Sequence, residues 1–162
     1  MIVSNSSCLI ILMRLQRLDL LQKLYGKITI PGSVKSEVFK RKKVPDWIQV
    51  VQITQPVAYE ILEKTLGKGE SEAITLCLEA KADLLIVDDL AARKTANRLG
   101  IKVAGVVGIL LEAKRLGLVS HIKDLLDQMM RLDFRISKAV YDEALELANE
   151  RRRTRKGIEI EF

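Results

Sequence analysis

Acidic side chains recur in this chain at separated positions: Glu37, the close pair Glu70 and Glu72, and the adjacent pair Asp88 and Asp89, with Asn5 following a short apolar start. Carboxylates drawn together from distant segments suit a hard divalent cation, which takes oxygen ligands at about 2.0–2.1 Å in the case of Mg²⁺. An ion held in that way activates water and offsets charge on a phosphodiester, so the pattern is that of a nuclease-like site. Each acid also has a structural explanation. Asp88 or Asp89 can cap the following helix, Glu70 and Glu72 sit in a first turn where the helix dipole favours negative charge, and Glu37 can pair with a nearby cation. Caps alone do not explain why all of them fall where one crevice could collect them.

The elements that must position these residues alternate between short β-branched runs and helical stretches, which predicts a parallel α/β sheet. Residues 2–5 read as a first strand, with Ser6 or Ser7 capping the next helix. Leu9, Ile10 and Met13, then Leu18, Leu21 and Leu24, carry a pair of short helices. Residues 27–30 form a brief extended piece, after which Pro31 suits the first turn of a helix bearing Val34, Glu37 and Val38. Glu37 shares the Val34 side at i+3 spacing, which aims it near the core stripe. Residues 47–53 read as a second strand, and Pro56 opens a helix through about 65. The turn Gly67-Lys68-Gly69 leads into a helix over 70–81, in which Glu70 lines up with Ala73, Ile74 and Cys77 and so is favoured over Glu72 as the inward acid. Leu84-Leu85-Ile86-Val87 is a fully apolar strand ending at Asp88 and Asp89, expected to be covered on both faces. A helix over 91–99, a stop at Gly100, a strand over 101–103 and helices over 106–115, 122–132 and 137–152 complete the pattern. In an open parallel sheet ligands bind outside the carboxyl ends of the strands, where Asn5 and Asp88/Asp89 are expected.

The 162 residues, 48% of them hydrophobic, suit one compact domain over 1–150 followed by a basic tail over 151–162. Five of the 27 Lys and Arg residues fall in Arg151-Arg152-Arg153-Thr154-Arg155-Lys156, and a second cluster, Lys40-Arg41-Lys42-Lys43, precedes Pro45. Such patches attract phosphates by releasing counterions, although solvated surface faces carry similar runs. Cys8 and Cys77 lie in apolar helical patterns without a Cys-x-x-Cys array, which predicts buried free thiols rather than zinc ligands or a disulfide. A cytoplasmic location is expected, because neither a leader pattern nor an apolar run near the roughly 20 residues of a membrane span occurs. A nucleotide-binding or receiver domain fits poorly: no Gly-x-Gly-x-x-Gly or Walker loop is present, and Gly67-Lys68-Gly69 does not follow a predicted strand.

Taken in order, these segments resemble the PIN-domain nucleases, including the toxin subunits of toxin–antitoxin pairs. Ser4-Asn5-Ser6-Ser7-Cys8-Leu9-Ile10 is similar to that family's opening Asp-Thr/Ser-Ser-x-Leu-Ile. Ile30-Pro31-Gly32-Ser33-Val34-Lys35-Ser36-Glu37-Val38 is similar to its Pro-x-x-Val-x-x-Glu element, Gly69-Glu70-Ser71-Glu72-Ala73-Ile74 to its acid-led helix, and Leu84-Leu85-Ile86-Val87-Asp88-Asp89 to its late strand ending in aspartate. The likeness spans roughly residues 1–130. It implies a three-layer α/β/α sandwich around a central parallel sheet and cleavage of single-stranded RNA at a Mg²⁺ or Mn²⁺ site. The implied ligands are Asn5, Glu37, Glu70, Glu72, Asp88 and Asp89, with Glu37, Glu70, Asp88 and Asp89 catalytic. Ser6, Lys40, Arg41, Lys42, Lys43 and Arg93 are the implied nucleic-acid contacts. An antitoxin and a second copy of the chain are the implied protein partners, with no membrane involved. His121, the single histidine, is read as a surface or structural residue.

Asn5 departs from the family pattern. Its amide oxygen can ligate a metal but brings no negative charge. Opposite unit charges 4 Å apart attract by roughly 4 kcal/mol at an effective dielectric near 20, an upper guide to what the exchange removes from metal binding. The sequence leaves open whether Glu70 or Glu72, and whether Asp88 or Asp89, is the ligand, and whether Asn5 leaves a nuclease or a non-catalytic nucleic-acid or protein-binding module.

Overall fold

The computed structural model describes residues 1–153 and 159–161. The chain folds as two compact units, Met1–Val106 and the segment from Val107 onward. In the first unit, β1 (Ile2–Ser4), β2 (Ile28–Pro31), β3 (Ile48–Val51), β4 (Leu84–Ile86) and β5 (Val103–Ala104) form one five-stranded sheet in the order β3-β2-β1-β4-β5. All four pairings are parallel, with Ser4 in register with Ile86 and Ile30 with Val50. The fold class is α/β, consistent with the expected α/β/α arrangement.

Parallel neighbours need long crossovers, supplied here by α1 (Ser6–Arg14), α2 (Asp19–Tyr25), α3 (Gly32–Val38), α4 (Pro56–Glu63), α5 (Lys68–Ala80) and α6 (Leu90–Arg98). α5 is anchored by fully buried Ala73 and Ile74, which pack with Val3, Leu85 and Val87 in one core cluster. Leu9 and Leu12 anchor α1, each fully buried. Burial of a leucine stabilises by about 1.5–3 kcal/mol, and a nine-residue helix, too short to be stable alone, depends on such packing.

Several boundaries differ from the sequence expectation for identifiable reasons. β1 stops at Ser4, and Asn5, rather than Ser6 or Ser7, is the N-cap of α1: its Oδ1 accepts from Cys8 N at 3.4 Å. The strand expected over 101–103 begins later, because Ile101 N still bonds Ala96 O at 2.9 Å as the chain leaves α6 through Gly100, whose φ is 76°. The last helix ends at Leu147, short of the expected 152.

α7 (Val106–Arg115) starts on the last residue of the first unit, and the second unit continues with α8 (Lys123–Arg131) and α9 (Lys138–Leu147), followed by the antiparallel strands β6 (Arg151–Arg153) and β7 (Glu159–Glu161). Of the basic stretch 151–156, Thr154, Arg155 and Lys156 lie outside the described residues. Among the described residues, no helix is long and apolar enough to cross a membrane.

Candidate functional site

Strand order decides where a site belongs. From β1 the crossovers run toward β2 and β3, and after β4 they run the other way to β5, so the β1–β4 boundary is the topological switch point. Crevices outside the carboxyl ends of strands at such a point hold ligands in open α/β sheets. Asn5 follows β1 there and Asp88 closely follows β4, with Asn5 N bonded to Ile86 O at 3.1 Å.

Asp88 is the inward member of its pair. Its carboxylate accepts from Val106 N at 3.1 and 3.3 Å and from the Cys8 thiol at 2.9 Å. Burial pushes the Cys8 thiol well above its ordinary pKa, with the Asp88 charge adding to the effect, so the sulfur stays protonated and able to donate. A Cβ on Gly105 would collide with Asp88 Oδ1 and would stand 3.0 Å from Arg93 Nη1, so the missing side chain makes room for both groups. Asp89 is exposed and spends Oδ1 on Ala92 N at 2.8 Å as the N-cap of α6.

The other pair divides differently from the periodicity argument. Glu70 is half-buried and folds back over Gly67, the N-cap position of α5, where a Cβ would collide with its Oε2. Glu72 is the acid that reaches another element: its Oε2 accepts from Ser33 N at 3.0 Å and Ser33 Oγ at 2.5 Å. The physical reason lies in α3, whose N-cap is Pro31 and has no side-chain acceptor, so Glu72 supplies the cap from α5. Asp88 does the same for the first N–H of α7, which follows Gly105.

Glu37 is exposed rather than aimed at the core, because α3 is only seven residues long and Val34 is its one buried residue. Glu37 nevertheless faces the crevice. The position a Cβ would take on Gly69 lies 3.8 Å from Glu37 Oε2 and 3.5 Å from Ser6 Oγ, so both side chains flank that glycine. A groove of about 700 Å³ runs beside it, lined by Lys35, Glu37, Gln52, Lys68 and Glu72 among others. Lys40, Arg41, Lys42 and Lys43 are all exposed just past the end of α3. His121 is exposed between α7 and α8 and belongs to the second unit.

A PIN-domain family model matches residues 1–150. The chain belongs to the PIN-domain family. PIN domains are nuclease-type modules that handle nucleic acid and usually use divalent metals. No curated protein matches the chain.

The donors of this PIN domain suit a divalent ion as an open site rather than a closed cage. Among the described residues, no three carboxylate, histidine or cysteine side chains stand together as a metal-holding group. Mg²⁺ is commonly held by one or two carboxylates, with waters and substrate phosphate completing the shell. Asp88, whose two oxygens keep lone-pair directions beyond those that accept from Val106 N and Cys8 Sγ, and the crevice-facing Glu37 are hard oxygen donors here, and Glu70 at the start of α5 is a third. Asn5 fits less well: Oδ1 is engaged on Cys8 N, and the remaining amide nitrogen, buried and without a partner, cannot ligate a cation.

Sequence reasoning missed Cys8 as the group that holds Asp88, and Lys35 and Lys68 as the cations beside Glu37. For the lysines a signal was present. Lys35 lies two residues before Glu37, and Lys68 lies inside the Gly67-Lys68-Gly69 turn that opens α5.

Proposed function

We propose that this PIN domain is a metal-dependent endoribonuclease that hydrolyses phosphodiester bonds of single-stranded RNA. The observation that carries the reading is the position of Asn5 and Asp88 at the β1–β4 switch point, with Glu37 and Ser6 flanking Gly69. Asp88 and Glu37 would hold Mg²⁺ or Mn²⁺, with Glu70 at the rim of the same helix terminus. The bound ion supplies charge against the scissile phosphate and a water of lowered pKa. Asp88 is kept in place by Val106 N and Cys8, so little reorganisation accompanies binding. Lys35, Lys68, Arg93 and the 40–43 cluster neutralise phosphates along the strand and set its path, which makes binding fall with salt.

The test is cleavage of a labelled single-stranded RNA with Mn²⁺ by the wild type and by Glu37→Gln and Asp88→Asn. The expected result is loss of cleavage in both variants and in EDTA; equal cleavage by all three proteins refutes the reading.

Asn5 favours a second reading, a PIN module that binds nucleic acid with little or no turnover. Asn5→Asp then gains cleavage that the wild type lacks. A role as the toxin of a toxin–antitoxin pair is part of the first reading. It predicts that expression arrests growth and that Glu37→Gln relieves the arrest.

A further inference from the structure

The geometry points to Gln52 as a base-reading residue, whose side-chain amide selects adenine in the nucleotide next to the phosphate held at Glu37. The inference deepens the reading above and rests on it for one point, that a single strand of RNA runs through the groove beside α3.

Gln52 is the first residue past β3, and Gly32 the first past β2. Because Pro31 and Val51 are in register, the two emerge side by side at the carboxyl edge of the sheet, the edge where Asn5 and Asp88 also emerge. Gln52 Oε1 and Nε2 both stand 2.7 Å from the position a Cβ on Gly32 would take, so glycine at 32 is what leaves room for the amide across the amino end of α3. Gln52 is exposed and lines the groove of about 700 Å³ together with Lys35, Glu37, Lys68 and Glu72. Among the described residues, no hydrogen bond engages its amide.

Spacing ties this end of the groove to the carboxylate proposed to hold the metal. A helix rises about 1.5 Å per residue, which puts Ser33 roughly 6 Å from Glu37 along α3, a reach that one neighbouring nucleotide covers. Lys35 and Lys68 can hold the strand by its phosphates, but such contacts carry no sequence information. A side chain that tells bases apart must offer a donor and an acceptor to one base edge, and the Gln52 amide offers both. Glutamine pairs bidentately with adenine, accepting from N6 and donating to N7. Glu72 sharpens the choice. Both of its bonds from Ser33 fall on Oε2, so Oε1 remains an acceptor that favours an exocyclic amine over the O4 of uracil or the O6 of guanine.

The experiment measures fluorescence anisotropy, in EDTA, of short labelled oligouridylates that carry one central adenine, cytosine or purine, the last lacking only the 6-amino group of adenine. Wild type binds the adenine strand about tenfold more tightly than the other two, the discrimination of one bidentate pair. In Gln52→Ala, an exposed position, the adenine strand falls to the affinity of the purine strand. Gly32→Ala, whose added methyl pushes the flexible amide aside, weakens the adenine preference with a Tm no lower than wild type. A wild type without the preference, a preference that follows cytosine, or an adenine preference that survives Gln52→Ala overturns the proposal. Cleavage under Mn²⁺ is scored on the same strands. Cleavage without an adenine preference overturns the base subsite and leaves the nuclease reading standing; a Gln52-dependent preference without cleavage does the reverse, and a wild type that binds none of the strands sinks both.

Discussion

Cys8 Sγ donates to Asp88 Oδ2 across 2.9 Å, joining residues 80 positions apart at the two strand ends that form the crevice. Burial, reinforced by the Asp88 charge and by this hydrogen bond, raises the Cys8 thiol pKa well above its ordinary value. Burial likewise pushes Cys77 up to about 12. In the unfolded chain both thiols ionise near pH 8.5. The folded state therefore holds more protons than the unfolded one above that pH, and stability falls as pH rises, by up to about 1.4 kcal/mol per pH unit for each thiol. Urea midpoints measured from pH 8 to 10 should fall, and Cys8→Ala and Cys77→Ala should each flatten the slope.

Glu72 and Glu37 should separate cleanly in variants. Glu72→Ala leaves Ser33 N at the start of α3 without its acceptor, a loss of about 1–3 kcal/mol visible as a lower Tm. Glu37→Gln alters an exposed side chain, so stability stays within about 0.5 kcal/mol of wild type while RNA cleavage is lost.

Gly69→Ala tests the crevice floor. The added Cβ meets Ser6 Oγ, Val34 Cγ2 and Glu37 Oε2 at 3.5–3.8 Å, ordinary contact distances, so the fold tolerates it. In a helix, alanine is favoured over glycine by about 1 kcal/mol, which predicts an unchanged or higher Tm. The methyl group stands between Ser6 and Glu37, however, so RNA affinity should drop in the same variant. Calorimetry and anisotropy on one preparation check both halves.

Glu150 caps α8 in the second unit, where the N-cap Ile122 has no acceptor of its own. It accepts from Ile122 N at 2.8 and 3.1 Å, Lys123 N at 3.0 Å and Lys114 Nζ at 3.0 Å. Burial raises its carboxyl pKa, but these hydrogen bonds outweigh burial and hold it below the usual range. The stability it contributes is present above the unfolded value near 4.3 and is lost as pH falls through the lowered one. Glu150→Gln should cost about 2–4 kcal/mol at pH 7 and less at pH 3, as read by urea midpoints at both.

The same capping device explains what the sequence could and could not convey. Helix α7 is legible at 106–115 from its apolar period, and the apolar run 84–87 from its composition. The partners of Glu72 and Asp88 are not legible, because each carboxylate serves a helix whose own preceding residue, Pro31 or Gly105, offers no acceptor. Such a cap is chosen in space, 39 residues away for Glu72 and 18 for Asp88. Periodicity ranks Glu70 above Glu72 because it counts faces of one helix and cannot see α3 packed beside it. Asn5 is legible as the odd residue of its motif, but not as the cap of α1, since the neighbouring Ser6 and Ser7 are equally good capping types. Three consecutive arginines carry no apolar alternation, so β6 leaves no strand signal.

Asp88 and Glu37 are proposed to share one divalent ion at the β1–β4 switch point. Crystals soaked with Mn²⁺ and a short single-stranded RNA, with anomalous data collected, probe that arrangement without an intermediary. One manganese peak should touch both carboxylates, with an RNA phosphate beside it; a peak that touches neither carboxylate, or no peak at full occupancy of RNA, would rule the shared ion out.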